Sequence, residues 1–172
     1  GSRVLDLGCA PGAWLQVASQ LVGPEGVVVG IDLKEVDHAF EPNVRAIQGD
    51  IYETPAETFL QFTDGQPFDA IVSDMAPNTT GHGDHFLSVR LCDRIIDLLE
   101  DSALAGTPLL KAGGVLAMKV FEGEAYPGLL KRTAGRFREV KGFKPKASRD
   151  VSREIYVIAF GWKPPMPRPR AD

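Results

Sequence analysis

Three aspartates stand where runs of β-branched and aliphatic residues give out. They are Asp32 in GVVVGIDL (26–33), Asp50 in VRAIQGD (44–50) and Asp74 in FDAIVSDMAP (68–77). Carboxylates accept hydrogen bonds and attract cations, and at successive carboxyl ends of parallel strands they converge on one crevice. Asp32 follows Gly8 by roughly the twenty residues that separate a glycine turn from a carboxylate holding two ribose hydroxyls. Asp50 is placed to accept from an adenine amino group. Each has a plainer reading as a turn or helix-capping aspartate, and it is their joint placement beside a glycine loop that argues for a site.

That loop is DLGCAPGAW (6–14). Gly8 and Gly12 permit backbone conformations and close approaches that a side chain forbids, and Pro11 sets the turn into a helix. Trp14 offers an aromatic wall, or equally a core tryptophan. The pattern is not the G-x-G-x-x-G phosphate cradle, because the second glycine is displaced and proline takes the middle. Carboxylates around a ribose and an adenine suit a cationic nucleoside and repel a pyrophosphate. The reading is S-adenosylmethionine, leaving as S-adenosylhomocysteine, with Gly8, Pro11, Gly12, Trp14, Asp32, Leu33, Asp50, Ile51 and Asp74 as the donor-binding set.

The elements that must position these residues alternate. Strands are expected at 3–8, 26–33, 44–50, 68–77, 113–121, 138–143 and 153–162, and helices at about 13–21, 55–63, 85–104 and 127–136. Leu87, Leu91, Ile95, Leu98 and Leu99 give the long helix its apolar face. Near-continuous apolar strands alternating with helices mean a mostly parallel sheet covered on both faces, an α/β Rossmann-like fold. The last two strands have only the loop KPKASRDVS between them, so an antiparallel hairpin is expected at one edge. Residues 1–162 are read as one domain and the Pro-rich 163–172 as a disordered tail.

An apolar fraction of 44% and a charged fraction of 24% are those of a globular domain. No run is long and apolar enough for a membrane span, and no secretory leader opens the chain. Cys9 and Cys92 fit no metal or redox spacing and are read as reduced thiols in a cytoplasmic, monomeric protein. The charge is divided. Residues 1–110 hold 5 Lys/Arg against 17 Asp/Glu, and residues 111–172 hold 14 against 6. A basic excess running through several elements suits a polyanion, and its densest part is 131–153.

LDLGCAPGAWLQVA, VVGIDL, GD, SDMAPNTTG, MKVFEGE and SREIYVIA, in this order, resemble the FtsJ/RrmJ-type ribosomal RNA 2′-O-ribose methyltransferases over residues 3–161. The resemblance implies a methyl donor domain and a Lys-Asp-Lys-Glu catalytic tetrad. By motif, Asp74 in SDMAPN, Lys119 in MKVF and Glu154 in SREIY are three of the four. The first lysine lies upstream of the glycine loop in that family, and only GSRV precedes LDLG here, so this chain is expected to be slow or inactive as it stands. Methyl transfer to a ribose hydroxyl requires alignment of the nucleophile, removal of its proton and stabilisation of the growing oxyanion. Lys119 should face the same crevice as Asp74, with Glu154 closing the group from an edge strand.

The implied acceptor is RNA, ribosomal RNA or a ribosomal subunit, contacted by Lys131, Arg132, Lys146, Arg149 and Arg153 through phosphates. No metal is expected: His82 and His85 in GHGDH are read as loop residues. A nucleotide-dependent oxidoreductase, a donor- or RNA-binding module without catalysis, a methyltransferase for another RNA and a base methyltransferase are the competing readings. The absent phosphate cradle opposes the first, and the absent Asp/Asn-Pro-Pro-Tyr/Phe and Pro-Cys motifs oppose the last.

Overall fold

The computed structural model describes residues 1–77, 83–145 and 153–166. Seven strands form one sheet: β1 (Arg3–Leu7), β2 (Val27–Asp32), β3 (Val44–Gln48), β4 (Phe68–Ser73), β5 (Leu110–Phe121), β6 (Phe137–Phe143) and β7 (Glu154–Trp162). Their order across the sheet is β3-β2-β1-β4-β5-β7-β6. The first five are parallel, while β7 pairs antiparallel with both β5 and β6. This corrects the placement of Glu154 on an edge strand. The hairpin does lie at one side of the sheet, but β7 inserts inside it and β6 takes the edge.

Four helices cover the sheet: α1 (Ala13–Val22), α2 (Ala56–Leu60), α3 (Asp84–Leu104) and α4 (Tyr126–Arg136). The helix expected over 55–63 is shorter, and a 3-10 turn over Gln61–Thr63 finishes it. Alternation along each strand divides the core. Leu5, Leu7, Val29, Ile31, Ile71, Leu116 and Met118 face α2, α3 and α4. Val28 and Val44 face α1 through Cys9, Leu15 and Val22.

Helix α3 contributes six residues to the larger core, burying Val89, Cys92, Ile95, Ile96, Leu98 and Leu99. Each such side chain contributes about 1.5–3 kcal/mol relative to exposure. Leu87, expected on that face, is 40% exposed instead, because the buried stripe begins one residue later at Ser88 and Val89. Among the described residues no helix is long and apolar enough to cross a membrane.

Candidate active site

The site is a row across the sheet. In register, Asp32, Gly8, Asp74, Lys119, Tyr156 and Phe143 follow one another over β2, β1, β4, β5, β7 and β6, with Lys119 two residues before the end of β5 and Tyr156 two residues after the start of β7. Residues level with one another on neighbouring strands point to the same face, here the face that α1 covers in part. Backbone bonds keep the row aligned beyond the strands. The N–H groups of Gly8 and Cys9 donate to Ile31 O at 2.8 and 3.1 Å, that of Asp74 to Leu7 O at 3.2 Å, and that of Gly49 to Asp32 O at 2.8 Å.

One half of the row opens into a cleft of about 360 Å³ lined by Gly8, Ala10, Ile31, Asp32, Leu33, Lys34, Gly49, Asp50, Ile51, Tyr52, Asp74, Met75, Ala76 and Leu91. The glycine loop beside it is tight. Gly8 has φ of +84°, and a Cβ there would come within 2.5 Å of Met75 Cγ. Gly12 has φ of +112°, and its Cβ would meet Phe40 Cζ at 2.7 Å. Both positions therefore exclude a side chain for conformational and steric reasons together.

Asp32 Oδ2 accepts the Ala10 N–H at 3.0 Å and Oδ1 accepts the Lys34 N–H at 2.9 Å. One carboxylate thus pins the glycine loop and keeps a lone pair on each oxygen for a ligand. Asp50 Oδ1 accepts the Tyr52 N–H at 2.9 Å. Of the sequence-predicted donor set, Gly8, Asp32, Leu33, Asp50, Ile51 and Asp74 line this cleft, while Pro11, Gly12 and Trp14 stand outside its lining. Trp14 instead stacks on Tyr156, with ring centroids 6.0 Å apart.

The other half of the row holds the expected catalytic group. Lys119 Nζ lies 3.0 Å from Asp74 Oδ1, with the lysine side chain only 12% exposed. Tyr156 donates its hydroxyl to the same oxygen at 2.7 Å. Burial, then the hydrogen bond to Asp74 and the charges of Asp74 and Glu154, hold the Tyr156 phenol above its ordinary pKa. Tyr156 is therefore a fixed donor that orients Asp74. Glu154 starts β7 opposite Phe121, two residues before Tyr156 and on the same face.

Helix α3 supports both halves. The Cys92 thiol donates to Lys119 O at 3.2 Å, and Ser88 Oγ accepts the Phe121 N–H at 3.0 Å. Arg94 donates through Nε and Nη2 to Ile51 O, both at 3.1 Å, tying the 49–52 wall of the cleft to the helix.

One pleat behind the row sits Asp6, level with Gly30 and Val72. It is 0% exposed, and neither carboxylate oxygen has a hydrogen-bond partner among the described residues. Burial, then the charges of Asp74 and Asp32, push its carboxyl up to about 7. Sequence reasoning passed over Asp6, Arg94 and Tyr156. A DLG strand end and the SREIY motif were the signals available for the first and last. An arginine within a long amphipathic helix gives none.

The basic residues separate. Lys131 and Arg153 are exposed. Arg132, expected on RNA, is held by Asp93 at 2.8 Å, Asp97 at 2.6 Å and Glu100 at 3.3 Å, while Arg136 also pairs with Glu100. The charges of these two α4 arginines are thus taken up by carboxylates of α3. Lys146, Arg149 and His82 lie outside the described residues. His85 packs its ring against Phe86 and Gly123. Among the described residues no group of three or more His, Cys, Asp or Glu is placed to hold a metal ion.

Known proteins match this arrangement. The model of the FtsJ-like methyltransferase family covers residues 1–162. The chain is 44% identical over 164 residues to the ribosomal RNA large subunit methyltransferase E of Desulfatibacillum aliphaticivorans, covering 94% of this chain and 74% of that protein. The protein of the same name from Desulforapulum autotrophicum is 44% identical, over 95% of this chain and 77% of its own. Among solved structures, a ribosomal RNA methyltransferase from Plasmodium falciparum superposes with a TM-score of 0.78 at 28% identity, covering 94% of this chain and 87% of that one. With the family's model spanning nearly the whole sequence and relatives this similar over most of their own length, the chain belongs to the FtsJ-like methyltransferases.

Proposed function

We propose that this chain transfers the methyl group of S-adenosylmethionine to a ribose 2′-hydroxyl of large-subunit ribosomal RNA. The observation that carries the reading is the Lys119–Asp74 pair. It sits at the rim of an acidic cleft, and Asp74 belongs to both the pair and the cleft.

The residues fit the donor. The cleft volume falls in the range of small-molecule sites, and its wall offers Asp32 for ribose hydroxyls and Asp50 for an adenine amino group. Apolar Ile31, Leu33, Ile51 and Leu91 lie between and around them. Asp6, buried and without a hydrogen-bond partner among the described residues, and the Asp32 and Asp74 carboxylates put a negative potential where a sulfonium and an ammonium need one. When bound, the donor supplies an electrophilic methyl group on a cationic sulfur.

The chain's own residues do the rest. Lys119 Nζ takes the proton of the attacking hydroxyl. Asp74 fixes the position of that nitrogen, and Tyr156 fixes Asp74 by a hydrogen bond to the same oxygen. Glu154 closes the group from the start of β7. Lys131 and Arg153 contact phosphates and set the register of the RNA without reading its sequence.

The test is radiolabelled methyl transfer from S-adenosylmethionine to ribosomal subunits lacking modification. It is run on this chain and on a chimera bearing a relative's upstream segment, each with and without Lys119→Ala. Label that resists alkaline hydrolysis of the RNA, and whose rate falls about 10²- to 10⁴-fold in the variant, supports the reading. Tight donor binding with no RNA labelled by either protein overturns it.

A further inference from the structure

The row that holds Asp74 and Lys119 continues outward into exposed aromatic surface, which methyl transfer itself does not explain. Tyr156 pairs across the ladder with Lys119 on one side and with Phe143 on the other. Phe143 ends the edge strand β6 and is 50% exposed, and Trp14, stacked on Tyr156 from the glycine loop, is 38% exposed. Large aromatic rings left in solvent beside a polar site are costly to the fold alone, since burying them elsewhere is favourable.

The surroundings select one occupant. Phe143 is followed by the exposed Lys144, whose Nζ lies 3.8 Å from Glu122 in a solvent-exposed pair, and Arg153 stands exposed just before β7. Cations beside an open π-face match a nucleotide, with phosphates for the former and a base for the latter. The spacing agrees. Lys119 and Phe143 are two strand spacings apart, about 10 Å, the span of one nucleotide with its ribose hydroxyl at one end and its base at the other.

We infer that Phe143, together with Trp14 and Tyr156, forms a stacking shelf for the base of the nucleotide whose ribose is methylated, so that the substrate is an unpaired or extruded nucleotide. The inference rests on the ribose-methylation reading above. A base held in a duplex presents no free face to such a shelf, so paired RNA is a poor substrate. The shelf is indifferent to base identity, because every base has a π-face.

The experiment is a fluorescence titration of single-stranded RNA containing 2-aminopurine, and of the same RNA in a duplex. It compares the wild-type chain with Phe143→Ala, Phe143→Leu and Phe143→Tyr, and measures donor affinity in parallel. Stacking predicts quenching on binding of the single strand and weaker binding of the duplex. It also predicts an affinity loss of roughly 5- to 150-fold in Phe143→Ala, a substantial loss in the apolar but non-aromatic Phe143→Leu, recovery in Phe143→Tyr, and unchanged donor affinity throughout. Equal affinity of wild type and Phe143→Ala for the single strand overturns the shelf while leaving ribose methylation standing. A Phe143→Ala defect on whole subunits but not on the oligonucleotide also overturns it, and points to a protein contact. A wild-type chain that binds neither the single strand nor the duplex overturns the shelf, while ribose methylation is judged by labelling of the subunits.

Discussion

Asp6 makes the sharpest prediction for the fold. Its carboxyl is 0% exposed, has no hydrogen-bond partner among the described residues, and lies one pleat behind Asp74 and Asp32. Burial and those two charges raise its pKa from 3.8 to about 7. For an acid with a raised folded-state pKa, the native protein binds the proton more tightly than the unfolded chain. Stability is then greatest below about pH 4, falls as pH rises towards 7, and levels off above it. The full difference is about 4 kcal/mol at 1.36 kcal/mol per unit, and about 2 to 3 kcal/mol of it is lost between pH 5 and pH 8.

Asp6→Asn keeps the shape and cannot ionise. Urea unfolding of both proteins at pH 5, 6, 7 and 8 isolates the residue, since every other titrating group is common to the two. The wild type is expected to lose about 2 to 3 kcal/mol more than the variant over that interval. Parallel curves would refute the argument, showing that Asp6 is solvated or paired in solution. The same reasoning links Asp6 to the donor. A bound cation favours the ionised carboxylate, so binding S-adenosylmethionine near pH 7 should release protons from the wild type and fewer from Asp6→Asn. Calorimetry in buffers of different ionisation enthalpy reads the difference.

Three further substitutions separate the supports of the site. Arg94→Ala removes both hydrogen bonds to Ile51 O and should weaken donor binding about 5- to 10-fold with RNA affinity unchanged, as measured by equilibrium dialysis. Tyr156→Phe leaves Asp74 without its hydroxyl donor; kcat should fall about 10-fold with little change in donor KM. Arg132→Ala should cost about 1 to 2 kcal/mol of stability in urea unfolding, because it leaves Asp93, Asp97 and Glu100 facing one another. It should leave the salt dependence of RNA binding as it was, whereas Lys131→Ala and Arg153→Ala should each lower that slope by about 1.

The strand ends were legible because burial on both faces writes parallel strands as plain apolar runs, and a carboxylate terminating such a run is conspicuous. Asp32, Asp50 and Asp74 were found in that way, and the cleft collects all three. The insertion of β7 between β5 and β6 was not legible. Pairing order depends on which ladder buries more side chain, and Ile155, Val157 and Ala159 reach the α3 and α4 core only from the inner position. The place of Trp14 after Gly12 shows that it is near the loop, but only the fold shows that its ring lies on Tyr156. Arg132 was misread because net charge along a segment cannot show that α3 answers it from about thirty-five residues away.

Insertion of β7 also explains why the charge asymmetry of the chain serves one site. The parallel strands supply their carboxyl ends, and with them the acidic half of the row, Asp32 and Asp74. A strand running the other way brings the start of its sequence, Arg153 and Glu154, to that edge, and the end of β6 with Phe143 and Lys144 beside it. The reversal is therefore what sets a basic, aromatic surface against an acidic cleft, with Lys119 at the boundary between them. On the proposed reading, a cationic donor and an anionic acceptor lie on opposite sides of one lysine, whose neighbouring strands stand a single strand spacing, about 5 Å, to either side.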